Sequence, residues 1–111
     1  MEMHLVHIKN NMSIEDALKE SDGLVVMSFI IKKTKGNNQA SGWNILAKFL
    51  KDIPEKGNSK NLNGEFSLGS LWREADVHHY FYYNGSLTSL PGAKSVILFV
   101  FAVPLEISYQ V

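Results

Sequence analysis

Hydrophobic and polar positions alternate from the start of the chain. Glu2, His4, Val6 and Ile8 fall on one face of an extended segment, and Met3, Leu5, His7 and Lys9 on the other. Residues 2–9 therefore read as a strand on which a carboxylate, an imidazole and two branched aliphatics share a face. Ser13 is a good helix N-cap, with Asp16 three residues on as a short capping-box partner. Residues 14–20 predict about two helical turns, helped by Glu15 and Lys19 at i,i+4, and Ser21-Asp22-Gly23 ends them.

Leu24–Ile31 (LVVMSFII) is nearly all apolar and predicts a strand buried on both faces. The polar run 32–40 predicts a loop. Ser41 is placed to cap a second helix, in which Trp43, Leu46, Phe49, Leu50 and Ile53 form an amphipathic stripe that Pro54 stops. Residues 55–65 read as an irregular surface connection and Phe66–Trp72 as a turn over the core. His78–Tyr83 (HHYFYY) is strand-prone, with Asn84-Gly85 as its break, and Ser95–Val103 predicts a last strand before Pro104. Several strands with two short helices make a mainly β, α+β architecture: a sheet with peripheral helices.

Length and composition narrow this further. The 111 residues suit one domain and not two full-sized ones, and 45% hydrophobic with 20% charged residues is a globular mix. Eleven basic side chains balance eleven acidic ones, so no net field favours nucleic acid or an anionic membrane. The absence of cysteine removes disulfides, zinc ribbons and thiol nucleophiles from consideration. No run approaches the ~20 apolar residues of a membrane helix. The opening MEMHLVHIKN lacks a basic region followed by an apolar one and reads as the middle of a strand, which suggests a piece of a larger fold.

Candidate chemistry rests on few residues. His4 and His7 project to opposite faces of one strand, as do His78 and His79, so at most one of each pair can join a shared metal site, and catalytic zinc takes three protein ligands. Glu2 and His4 share a face, which lets the carboxylate accept the second N–H of a ligating imidazole; the alternative is an ordinary exposed pair on an edge strand. Gly85–Pro91 is a hydroxyl-rich turn that either offers Thr88 to a small polar ligand or satisfies its own backbone. Tyr80–Tyr83 reads as sheet packing rather than a base-stacking platform, because no basic residues interleave with it. No phosphate-cradling glycine motif, nucleophile elbow or triad is present.

Taken together, EMHLVH at 2–7, SDGLVVMSF at 21–29 and YNGSLTSLP at 83–91 resemble three motifs of the α-class carbonic anhydrases, in the family's order and across essentially the whole chain. The resemblance implies that residues 1–111 are a partial domain of that fold, part of a central twisted, mostly antiparallel sheet. It implies a zinc enzyme that hydrates carbon dioxide reversibly to bicarbonate, zinc lowering the pKa of its bound water to ~7, a behaviour for which carbonic anhydrase is the standard example. His4 would be the third zinc ligand and Glu2 its acceptor. Thr88 would be the hydroxyl that orients the attacking oxygen. Val6, Val26, Leu87 and Val96 would wall the carbon dioxide pocket, with Ser89 beside Thr88 at its mouth.

The resemblance also marks departures. The family's first two zinc histidines lie on an upstream His-x-His strand not found in these residues, and the proton-shuttle histidine and the glutamate that orients the threonine also belong upstream. Leu90-Pro91 stands at the family's Pro-Pro step, which leaves a cis bond open there, and Leu98 at a usual tryptophan. Gly92 stands where many secreted members have cysteine, which leans towards a cytoplasmic form. The chain stops shortly after Pro104, before the family's C-terminal segment. The alternative reading is a carbonic-anhydrase-related binding protein without catalysis, or a truncated product without activity.

Overall fold

The computed structural model describes residues 1–36, 41–62, 64, 66–86 and 96–109. Four strands, β1 (Glu2–Ile8), β2 (Leu24–Thr34), β3 (Tyr80–Gly85) and β4 (Val96–Ser108), form one sheet in the order β1-β2-β4-β3. β1 and β2 are antiparallel, as are β3 and β4. The Tyr109 N–H donates to the Thr34 carbonyl at 3.1 Å, so the neighbouring strands β2 and β4 end side by side and run parallel. The mainly β architecture with short helices is the expected one, and the antiparallel pairs flank a parallel centre.

The chain divides into two compact units, Met1–Ile30 with Asp76–Pro104, and Ile31–Ala75 with Leu105–Val111. The first is built around Ala17, Leu24, Val26, Val96 and Leu98, with Met12 and Leu18 packed against them. Phe29, fully buried, stacks on Phe101 with ring centroids 4.4 Å apart. The connection from β1 to β2 passes through Asn10 and Asn11 at positive φ, which asparagine tolerates. It then enters α1 (Ile14–Ala17), where the Ser13 hydroxyl oxygen accepts from the Asp16 N–H at 3.1 Å as the cap requires. The helix is shorter than the sequence predicts. After Ala17 the bonds shift to i→i+3, Lys19 N–H to the Asp16 carbonyl and Glu20 N–H to the Ala17 carbonyl, which tightens and ends it. Lys19 pairs with Asp16 at 3.1 Å rather than with Glu15.

The second unit contains α2 (Ser41–Leu50), which stops before Pro54, and a 3-10 turn at Leu68–Leu71. Gly42 is buried, and a Cβ there would lie 2.1 Å from the Ser70 hydroxyl, so glycine is what lets α2 approach this turn. The Trp43 indole N–H donates to the Leu71 carbonyl at 2.8 Å. Leu71 is buried here, as are Ile31, Leu105 and Ile107. Leu50, expected on the apolar stripe, is exposed. The cap expected of Ser41 lies outside what the structure describes.

Three strand boundaries differ from expectation. β2 continues through Lys32, Lys33 and Thr34 instead of giving way to a loop, with Lys32 reaching Glu106 at 3.9 Å. β3 keeps Asn84 and Gly85 as strand residues, with Gly85 opposite Val96 and the tip of the Leu98 side chain 2.9 Å from where a Cβ would stand, so this glycine makes room for Leu98 and is not a break. β4 runs through Pro104. Its pairing with β3 ends at Phe101 and Ala102, so the missing proline N–H interrupts no bond to β3.

Candidate functional site

β1 stands at one end of the strand order of the described residues, and its register fixes what faces what. His4 lies opposite Ser28, Val6 opposite Val26 and Ile8 opposite Leu24, so these six share one face of the sheet. Val26 belongs to the same buried cluster as Val96. The structure thus brings His4, Val6, Val26 and Val96 to one side. Val26 and Val96 are wholly buried and Val6 is exposed. Leu87, Thr88 and Ser89, and with them Leu90-Pro91 and Gly92, lie outside the described residues.

Glu2 and His4 meet on that face, Oε2 to Nε2 at 3.2 Å. Because the carboxylate engages Nε2, a neutral His4 carries its proton there, and its Nδ1 is the nitrogen left with a lone pair for a metal. The pair is more than one-third exposed, so its worth lies in orientation rather than stability. The described residues do not by themselves fit a zinc ion. Among them no three His, Cys, Asp or Glu side chains come together, and a catalytic zinc needs three protein ligands with one open position.

The other histidines are placed elsewhere. His7 projects to the opposite face, opposite Val25, where it borders an apolar cavity of about 500 Å³ with Val25, Met27, Val77, Tyr80, Phe99 and Phe101. Sequence reasoning had the signal for this, since His7 alternates with Met3 and Leu5, but no second residue marked the cavity. Asp76 accepts from the His78 N–H at 2.9 Å and from His79 Nδ1 at 2.8 Å. That turn delays the start of β3 to Tyr80.

The His79 hydrogen bond, followed by that of the His78 backbone, holds the Asp76 carboxyl below its ordinary pKa. A depressed carboxyl stabilises the fold above its unfolded pKa of about 3.9, and the contribution is lost as pH falls through the lower folded value. Asp16, held down by Ser13 and Lys19, and Asp22, held down by Lys9, act in the same direction. Stability measured by urea unfolding is expected to fall as pH drops below about 4, and Asp76→Asn to flatten that decline. An unchanged pH slope in the variant would show that the Asp76 turn does not contribute.

A carboxylate set against a histidine on a strand is the arrangement that accompanies metal-ligating histidines where a metal is bound. A family model, eukaryotic-type carbonic anhydrase, matches residues 1–111. The chain belongs to the eukaryotic-type carbonic anhydrase family. It is 31% identical over 110 residues to "Putative carbonic anhydrase 5" of Caenorhabditis elegans, which covers 96% of this chain and 34% of that protein. It is also 31% identical over 110 residues to the rat "Carbonic anhydrase-related protein", covering 97% and 37%. With "Carbonic anhydrase 4" of the rabbit the identity is 30% over 112 residues, covering 96% and 34%. The chain spans about a third of the length of the curated relatives it matches. No helix among the described residues is long and apolar enough to cross a membrane.

Proposed function

We propose that this chain contributes one zinc-ligating strand and part of the apolar wall to a carbonic anhydrase that interconverts carbon dioxide and bicarbonate. The contact between Glu2 and His4 carries the reading, because it leaves Nδ1 as the ligating nitrogen on the face shared with Val6, Val26 and Val96. On the resemblance, the other two ligands come from a His-x-His strand upstream of residues 2–7, outside these 111 residues. Val6 and its neighbours contribute what an apolar gas needs, a wall without competing hydrogen-bond groups. Thr88 and Ser89, from the resemblance, provide the hydroxyls beside it, and Leu87 completes the wall.

The test is made on the 111-residue chain itself. After dialysis it is expected to retain well under one zinc per molecule and to show no carbon dioxide hydration above background, since one histidine cannot hold the ion in open tetrahedral geometry. Retention of one zinc per chain, lost in His4→Ala, would overturn the view that further ligands are required. A second reading is a binding protein without catalysis. It draws on the absence of a three-ligand group among the described residues and on the relative titled a carbonic-anhydrase-related protein. A longer protein with a substituted upstream His-x-His would favour it.

A further inference from the structure

Ser28 stands in β2 only 5% exposed, and among the described residues its hydroxyl has no hydrogen-bond partner. A hydroxyl buried alone costs stability, and buried polar groups in native proteins are paired with protein or with ordered water. This burial does not depend on where the 111 residues end, because further chain can only cover Ser28 more. We propose that Ser28 is a positioning residue for His4: its hydroxyl donates to one buried water, which donates in turn to Oε1 of Glu2. The inference rests on the proposed role of His4, but its test needs no metal.

The register places the three groups. His4 lies opposite Ser28 and Glu2 opposite Ile30, so Ser28 faces His4 directly and Glu2 diagonally, on one side of the sheet. The Lys9 N–H donates to the Gly23 carbonyl at 3.0 Å, one step beyond the Ile8–Leu24 pair. Hydrogen-bonded and non-hydrogen-bonded pairs alternate along an antiparallel ladder. His4 and Ser28 are therefore one of the close, non-hydrogen-bonded pairs, in which side chains stand nearest each other. Glu2 reaches along this face to His4, Oε2 to Nε2 at 3.2 Å, which brings its carboxylate towards the residue opposite Ser28. A carboxylate accepts at both oxygens, and Oε1 has no partner among the described residues.

The neighbours select the acceptor. Val6 lies diagonally across from Ser28 and Val26 two residues back along β2, while β4, on the other side of β2, brings Val96 and Leu98 to this face. None of these side chains can accept a hydrogen bond. The imidazole has Nε2 on Glu2 and keeps Nδ1 for a metal, so the carboxylate is the acceptor that remains. No direct bond joins it to Ser28, and one water with two polar partners fills a gap of that kind. Held at both oxygens, the carboxylate stays against Nε2, and the neutral ring keeps its Nε2–H tautomer and its direction.

Urea unfolding and imidazole NMR of the metal-free 111-residue chain test the proposal. Ser28→Ala is expected to lower the folding equilibrium constant about 5-fold, the usual worth of one hydrogen bond. In a Glu2→Met background, where the acceptor is gone, the same substitution is expected to cost nothing. Ser28→Ala is also expected to shift the His4 ring nitrogens as the Nδ1–H tautomer gains population, while His7, on the opposite face, stays unmoved. Ser28→Thr, which keeps the hydroxyl, is expected to retain the wild-type His4 signals. An equal cost in both backgrounds, a gain in stability on Ser28→Ala, or unshifted His4 nitrogens would overturn the proposal. Zinc retention, measured separately, decides the reading of His4 and leaves these outcomes as they are.

Discussion

Phe29→Ala is expected to cost about 3–5 kcal/mol, a large part of the ~5–15 kcal/mol by which a domain of this size is stable. Phe29 is wholly buried and its ring lies nearly parallel to that of Phe101, 17° between planes. Truncation removes the ring's apolar burial and its stacking, and leaves a void beside Phe101 that neighbouring strands can fill only in part. The effect appears as a urea midpoint about 1–3 M lower, given the usual slope for small domains. A loss under ~1 kcal/mol would show that the site collapses on truncation and that the stack is not what fixes Phe101.

The second large effect concerns chemistry. In a protein that carries this chain together with the remaining zinc ligands, Thr88→Ala is expected to lower carbon dioxide hydration by about 10²–10³, the usual result of removing one positioned hydrogen-bonding group. Zinc content should stay at one per molecule. Measured side by side, loss of rate with retained metal supports a positioning role for the Thr88 hydroxyl. Loss of both would mean that Thr88 holds the structure around the site instead.

What the sequence made legible was local. The alternation at residues 2–8 placed Glu2 and His4 on one face and His7 on the other, because a strand's period of two leaves no other choice. Ser13 announced its cap because its hydroxyl oxygen satisfies an N–H that the helix cannot. Lys32 and Lys33 read as loop because composition registers lysine as surface, whereas a strand presents lysine to solvent equally well; β2 continues through both. Gly85 and Pro104 read as breaks, yet each is tolerated for a tertiary reason, contact with Leu98 in one case and the end of the β3 ladder in the other. Tyr80–Tyr83 gave the correct element, and Tyr80 and Tyr82 pack on Phe99 in the sheet, but strand propensity did not tell how much of each ring stays exposed. For the candidate site, the pairing of Glu2 with His4 was readable from spacing alone. The roles of Thr88, Ser89 and Leu87 came only from the resemblance.

The order β1-β2-β4-β3 has a consequence for how the chain is made. β1 and β2 adjoin in sequence and can pair as soon as both have left the ribosome, but the cluster that Ala17, Met12 and Leu18 begin over Leu24 and Val26 is completed only when Val96 and Leu98 arrive on β4. At roughly 5–20 residues per second the interval lasts several seconds. During it the nascent hairpin presents an incompletely covered apolar face and an unpaired central strand, the surface that chaperones capture and that aggregation exploits. Joining elements so distant in sequence also slows refolding of the finished chain. Yield during synthesis therefore depends on the wait for β4 as much as on the stability of the sheet once β4 is in place.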